Sequence, residues 1–330
     1  MNIKNKNVVV TGAGGFIGSH LTEELVRRGA NVKAFVHYNS RNHWGLLELL
    51  EEGVISEVEV VAGDITDPFF VKTATKNTDI VFHLAALIGI PYSYIAPESY
   101  VNVNIKGTLN VLQASLDNGV EKIVHTSTSE TYGTADYVPI DEAHPMKGQS
   151  PYSASKIGAD KMAESYYRSF DLPVVTIRPF NTFGPRQSAR AIIPTIISQA
   201  LEMDEVHVGS LSPVRDLTFV KDTVNGFIEI GVSEKSIGEV INIGTGSGVT
   251  IGELLQRILS ILGKEDMRVV EDAERVRPDK SEVMELICDN SKAKRLLDWS
   301  PQYTLDDGLA ETVEWMRGYT NLYKTDKYVV

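Results

Sequence analysis

The run Val8-Val9-Val10-Thr11-Gly12-Ala13-Gly14-Gly15-Phe16-Ile17-Gly18 decides the fold. Its first four residues are β-branched, as in a short strand buried on both faces of a parallel sheet. Gly12, Gly15 and Gly18 then follow in the spacing Gly-x-x-Gly-x-x-Gly. Glycine permits positive φ in such a turn and lets a pyrophosphate come close to the backbone. Apolar residues at Phe16, Ile17, Leu21, Leu25 and Val26, closed by Gly29, predict a helix over 16–28. Its N-terminus offers unpaired N–H groups and the positive end of a dipole to an anion. A glycine turn can also be a tight connection with nothing bound. Its place between a strand and a helix favours a dinucleotide.

Outward from this unit the alternation continues. Strands are predicted at 31–36, 58–62, 79–84, 121–126 and 174–178, and long helices at 97–118 and 151–170. Strands alternating with helices imply α/β architecture, a Rossmann-type doubly wound parallel sheet. After Arg178 the segments shorten. Stretches 186–203, 206–208, 250–262 and 264–277 are expected to build a smaller C-terminal α/β lobe. Residues 222–232 and 239–242 are apolar enough to return to the main sheet. The expected division is thus an NAD(P)-binding domain over 1–180, joined by returning segments near 215–245, with 181–330 mainly a substrate lobe.

The bulk numbers narrow the function class. The 330 residues carry a formal net charge of -12, which disfavours nucleic acid and anionic membranes as partners. No apolar run approaches the length of a membrane span. The basic start, Met1 to Lys6, leads into a strand ending at Gly12 rather than into a leader with a cleavage site. The one cysteine, Cys288, can form no internal disulfide and cannot found a metal site, so no metal is expected. These features predict a soluble cytoplasmic protein, with Cys288 as a core residue.

The chemistry lies in Tyr152-Ser153-Ala154-Ser155-Lys156. Residues four apart on a helix share a face. A tyrosine has an ordinary pKa of about 10, and bringing it near 7 takes roughly 4 kcal/mol. A neighbouring ammonium and an oxidised nicotinamide both favour the phenolate. Upstream, the fifth strand runs into Thr126-Ser127-Thr128-Ser129-Glu130. Strand alternation would set Thr128 and Glu130 on one side and turn Ser129 away. Thr128 can bond a substrate hydroxyl. Glu130 is either a cap for the next loop or a base for a carbon acid beside a carbonyl.

Cofactor choice rests on the end of the second strand. NAD-binding folds place a carboxylate there for the ribose 2′-hydroxyl. This chain has Val36-His37-Tyr38-Asn39-Ser40-Arg41 instead. His37 and Arg41 could accept a 2′-phosphate, which leans toward NADP while leaving NAD open. Asp64 and Ile65 end the third strand and either flank the adenine or, for Asp64, cap the next segment.

The glycine loop, His83-Leu84-Ala85-Ala86, Thr128-Ser129-Glu130, Tyr152-x-x-x-Lys156 and Arg178-Pro179-Phe180-Asn181-Thr182-Phe183-Gly184-Pro185 together resemble the extended short-chain dehydrogenase/reductases that act on nucleotide sugars. The resemblance covers nearly the whole chain. Thr128-Ser129-Glu130-x-Tyr132-Gly133 is similar to GDP-mannose 4,6-dehydratases and to UDP-glucuronate decarboxylases. Ile90-Pro91-Tyr92-Ser93-Tyr94 and Pro185-Arg186-Gln187-Ser188-Ala189-Arg190 look most like the 4,6-dehydratases of legionaminic acid synthesis, associated with GDP- or UDP-N-acetylglucosamine.

The resemblance implies a mechanism. Tyr152 takes the proton of the sugar 4-hydroxyl as hydride leaves C4, and Lys156 holds the nicotinamide ribose. Glu130 removes the C5 proton, water leaves C6 with help from Glu130 or Ser129, and hydride returns at C6. It further implies cofactor contacts from Gly12, Gly15, Phe16, Ile17, Gly18, His37, Arg41, Asp64, Ile65, Leu84, Ala85, Ala86 and Pro179, besides Tyr152 and Lys156. Substrate contacts would come from Leu87, Asn181, Arg186, Ile192, Val208, Arg215 and Arg277, the arginines taking the diphosphate. A homodimer through the 97–118 and 151–170 helices is also implied. Three alternatives stay open. A C4 epimerase needs no base at C5, a glucuronate decarboxylase could use the same Thr128 and Glu130, and a non-catalytic NAD(P)-sensing protein would need neither.

Overall fold

A computed structural model describes residues 2–272, 275 and 283–325. The main sheet has seven strands, and its first six in chain order are β1 (Asn7–Thr11), β2 (Asn31–His37), β3 (Val58–Gly63), β4 (Ile80–His83), β5 (Lys122–Thr126) and β6 (Val174–Pro179). The seventh, Val240–Ile243, pairs parallel with β6 at one edge. Across the sheet the order is Val240–Ile243, β6, β5, β4, β1, β2, β3. Every pair is parallel, with Val8 opposite both Val32 and Ile80. The doubly wound parallel architecture is therefore present. The order reverses between β1 and β4, which in such sheets opens a crevice at the carboxyl ends of the strands.

Both faces of the sheet are covered, which is why its central strands, such as β1 and β4, are apolar on both sides. The helices Phe16–Arg27 and Val220–Val232 pack together on one face. Pro68–Ala74, Gly107–Asn118 and Pro151–Phe170 cover the other, over a core that includes Val111, Leu112, Ala163 and Tyr166. The first core runs without a break into the smaller lobe, where Ile193, Ile196 and Ile197 of the Ile192–Glu202 helix meet Leu254, Leu255 and Ile258 of Ile251–Leu262. In that lobe Glu205–Val208 pairs parallel with Arg268–Glu271.

One segment differs from the sequence pattern. The stretch expected as one helix over 97–118 is α-helical at Pro97–Tyr100, widens to a π-helix at Val101–Lys106, and is α-helical again from Gly107. Such widenings collect at functional positions. Within the 186–203 stretch the helix starts at Ile192, and residues 186–191 form an irregular turn in which Arg186 itself has φ 67°.

Candidate active site

One cavity of about 1070 Å³ runs along the carboxyl ends of the strands and into the smaller lobe. It is lined by the glycine turn at one end, by Thr128, Ser129, Glu130, Tyr152 and Lys156 at its middle, and by Val208, Arg215 and Arg275 toward the lobe.

The glycine end is built by close packing. A Cβ on Gly18 would stand 2.2 Å from the Gly12 carbonyl oxygen, and one on Gly12, with φ 71°, would stand 2.8 Å from Ala85 N. Only glycine lets the first helix begin so near β1 and β4. The N-cap is Gly15, which has no side chain to take the first-turn N–H groups, and no acid stands in that turn. These donors open on the cavity, a fit for a phosphate. Phe16, Ile17, His37, Asp64, Ile65, Leu84, Ala85, Ala86 and Pro179 all line the same region. Asp64 is also engaged locally, its Oδ1 accepting from Thr66 N and Thr66 Oγ1, both at 2.8 Å.

Arg41 is a correction. Its side chain is exposed and does not line the cavity. The loop after β2 turns back because Asn39 Oδ1 accepts from Arg41 N and His43 N, both at 3.1 Å. That turn brings His43 and Trp44, rather than Arg41, to the cavity wall beside Gly14. The sequence offered no signal for the fold-back beyond the asparagine itself.

The catalytic cluster is assembled by two elements. Pro151–Phe170 starts at a capping box, in which Ser150 and Ser153 bond one another's backbone N–H groups. Tyr152 and Lys156 thus occupy the first turns at the cavity. Strand alternation does not govern the facing segment, since β5 ends at Thr126 and Ser129–Thr131 is a 3₁₀ turn capped by Thr128. The tight turn brings Thr128, Ser129 and Glu130 all to the wall, Ser129 included.

Burial pushes the Tyr152 phenol up from its ordinary value, while a hydrogen bond from Thr128 opposes the rise and the charge of Glu130 adds to it. Burial likewise pushes Lys156 down to about 8, against the pull of Asp160. The Lys156 ammonium donates to the Thr126 carbonyl at 2.6 Å. Tyr100 lies edge-on to Tyr152, with ring centroids 6.3 Å apart. From the π-helix, Asn104 receives a bond from Leu87 N at 2.8 Å and donates to Ser155 Oγ at 2.9 Å, tying the loop after β4 to the catalytic helix. Neither Asn104 nor Tyr100 was singled out by the sequence; Asn104 lies in the π-helix, which leaves no periodicity to read, and Tyr100 is the last residue of the α-helical turn before it.

At the substrate end, Leu87, Asn181, Ile192, Val208 and Arg215 line the cavity. Asn181 Oδ1 is buried there without a hydrogen-bond partner among the described residues. Arg186 is the second correction. Its guanidinium pairs with Glu23 on the first helix at 2.5 Å and does not line the cavity. The left-handed backbone at Arg186 turns the side chain across the domain instead. Arg190 and Arg275 line the cavity. Arg277 lies outside the described residues. Among the described residues no group of His, Cys, Asp and Glu could hold a metal ion, and no helix is long and apolar enough to cross a membrane.

Comparison with known proteins agrees with this geometry. The GDP-mannose 4,6 dehydratase family matches residues 9–312. A UDP-glucose 4-epimerase of Mycolicibacterium smegmatis is 33% identical over 316 residues, covering 94% of this chain and 98% of that protein. A dTDP-glucose 4,6-dehydratase of Actinoplanes sp. is 32% identical over 94% of this chain and 97% of its own length. The crystal structure of DesIV, a dTDP-glucose 4,6-dehydratase from Streptomyces venezuelae solved with NAD bound, superposes with a TM-score of 0.84 at 29% identity, over 97% of this chain and all of that one. With Tyr152, Lys156 and Glu130 in one cavity beside a dinucleotide turn, the chain belongs to the GDP-mannose 4,6-dehydratase family, among the nucleotide-sugar dehydratases and epimerases built on the short-chain dehydrogenase scaffold.

Proposed function

We propose that the protein is a nucleotide-sugar 4,6-dehydratase, converting an NDP-hexose, with GDP- or UDP-N-acetylglucosamine as the favoured substrates, to the 4-keto-6-deoxy sugar. The observation that carries this reading is Glu130. It stands in the same cavity as Tyr152 and close enough for its charge to act on the phenol. Oxidation at C4 does not need a carboxylate there; removal of a C5 proton does.

A nicotinamide bound along the glycine turn supplies the acceptor and later the donor of hydride. Phe16 and Ile17 would hold its phosphates by backbone N–H groups at the turn that Gly15 opens, Gly15 N itself donating to the Gly12 carbonyl at 3.0 Å, and His37 at the end of β2 is the candidate for the ribose 2′ position. Tyr152 takes the 4-hydroxyl proton, with Thr128 donating to the phenolate. Lys156 keeps a positive charge beside that phenolate and the nicotinamide ribose. Glu130 then accepts the C5 proton, made acidic by the C4 ketone. Protonated Glu130, or Ser129 beside it, gives a proton to the departing C6 hydroxyl, so that one water leaves. Arg215 and Asn181, which line the cavity, would take the diphosphate, with Arg277 as a further candidate. The choice between NAD and NADP is tested by identifying the nucleotide released on denaturation.

A second copy of the chain is proposed to cover the outer face of the 97–118 and 151–170 helices, where Val101 is half exposed; sedimentation decides it.

A panel of nucleotide sugars incubated in heavy water tests the activity. Loss of one water and uptake of one deuterium at C5 support dehydration. Unchanged mass with inversion at C4 would instead mean an epimerase. One observation favours a second reading. Arg190 lies against Gly89, so that a Cβ there would be 3.2 Å from its Nη1, and this cation at the cavity wall would suit a sugar carboxylate. Loss of carbon dioxide from a glucuronate nucleotide would establish that decarboxylase.

A further inference from the structure

A second layer of polar groups lies beneath Lys156. Asp160 follows one helical turn later, so Tyr152, Lys156 and Asp160 fall on one stripe of the Pro151–Phe170 helix. Asp160 is buried and accepts three hydrogen bonds. His125 Nε2 donates to Oδ1 at 3.0 Å, while Ser127 Oγ and Arg178 Nη2 donate to Oδ2 at 2.7 and 2.9 Å. Arg178 also donates to the Tyr132 hydroxyl at 3.0 Å, which donates to Asn242 Oδ1 at 2.8 Å. The network therefore ties the catalytic helix to β5, β6 and the Val240–Ile243 strand. Ser127 immediately follows Thr126, whose carbonyl holds the Lys156 ammonium.

We propose that Asp160 is a positioning residue for Lys156: it fixes the end of β5 so that the Thr126 carbonyl meets the ammonium, and it supplies the buried negative charge that keeps that ammonium protonated. Of the titratable and charged groups around Lys156, Asp160 and Tyr152 share its helix, His125 lies on β5, His83 on β4, Arg178 on β6, and Glu130 in the turn after β5. Both histidines are held neutral by burial, which pushes them below their ordinary value. His83 is fixed as the Nε2–H tautomer. Thr11 Oγ1 already accepts from Ala85 N and so donates to Nδ1, while Thr108 Oγ1 donates to Asn104 O and accepts from Nε2. The anion nearest to Lys156 on its own helix is thus Asp160.

This inference rests on Lys156 being the active-site cation of the proposed function, but its test needs no turnover. The purified full chain is acetylated competitively across the neutral-to-alkaline range, and the Lys156 peptide is read by mass spectrometry. In Asp160→Asn the titration midpoint of Lys156 falls by about one unit or more, as for an ion that loses its partner. Loosened packing alone would admit water and move the midpoint upward. A second variant, Asp160→Asn with Arg178→Met, removes both charges together and leaves no unpaired ion in the core. Asp160, one helical turn from Lys156, is the charge that acts on it, so the midpoint falls there too, and the alkaline limb of kcat/KM moves to lower pH with it. An unchanged or raised midpoint in either folded variant overturns the proposal. The heavy-water panel judges the dehydratase reading separately, so either idea can fail alone.

Discussion

The Lys156 ammonium donates to the Thr126 carbonyl oxygen at 2.6 Å, so the active-site cation is anchored to the end of β5 rather than left to swing in the cavity. Anchoring does not offset burial, which holds Lys156 down to about 8. The positive charge that favours the Tyr152 phenolate is therefore present below that pH and lost above it. The expected profile of kcat/KM falls as pH rises through about 8, and Lys156→Met removes that limb while lowering kcat/KM at every pH. Initial rates across the alkaline range check this; a limb that persists in the methionine variant assigns it to another group.

Tyr152→Phe keeps the ring that packs edge-on against Tyr100 and removes only the hydroxyl. Loss of a positioned acid–base group costs about 10²–10⁴-fold in rate. The variant is expected to melt within a few degrees of the parent and to lose kcat by that factor. Full activity would mean that a group other than Tyr152 moves the proton; no turnover of any nucleotide sugar by parent or variant would instead leave a cofactor-sensing protein.

How far the residues foretold this arrangement depends on the kind of signal each carried. The glycine turn, the doubly wound parallel sheet and the Tyr152–Lys156 pair were legible because period and spacing are local. Strand alternation set Thr128 and Glu130 on one side and turned Ser129 away, but the chain leaves extended geometry at Thr126 and a 3₁₀ turn brings all three to the wall. Arg186 and Arg41 carried the right charge, but backbone turns decided their direction, one by a left-handed φ and the other by the Asn39 fold-back. Asp160 could have been seen, four residues after Lys156. Its partners His125, Ser127 and Arg178 come from two other strands, and no local pattern joins them.

Glu130→Gln separates the two halves of the proposed reaction. Tyr152, Thr128 and Lys156 remain, so slow oxidation at C4 survives. The C5 proton loses its acceptor, so deuterium uptake at C5 and release of water fall by about 10²–10⁴-fold. Mass spectrometry and proton NMR of the recovered sugar nucleotide measure both. A glutamine variant that still exchanges C5 at the parent rate would mean that another group is the base.

Arg186 serves stability rather than substrate. Its pair with Glu23 is about nine-tenths buried on both sides, and Glu23 also holds Arg27 at 2.7 Å. Arg186→Ala and Glu23→Ala are each expected to cost about 1–3 kcal/mol, as for a charged hydrogen bond with one partner removed. The double variant should cost less than the sum, because the residues touch. KM for the nucleotide sugar stays within about twofold of the parent, below the tenfold that 1.4 kcal/mol of lost binding would produce. A large rise in KM without a loss of stability would return Arg186 to the diphosphate.

Asp160 sets an acid limit on the fold. Burial alone would raise its carboxyl, but the bonds from His125 and Ser127 and the charge of Arg178 outweigh that and hold it at about 2, against an ordinary 3.8. A carboxylate depressed in the folded state binds fewer protons there than in the unfolded chain. Its stabilisation is therefore complete above about pH 4 and lost as pH falls through about 2. The difference corresponds to roughly 2 kcal/mol. Denaturant midpoints measured between those limits should fall with acid in the parent. The Asp160→Asn/Arg178→Met variant should show a shallower decline, since the titrating group and its partner are both gone. An identical acid slope in parent and variant would place the acid-labile carboxylate elsewhere in the molecule.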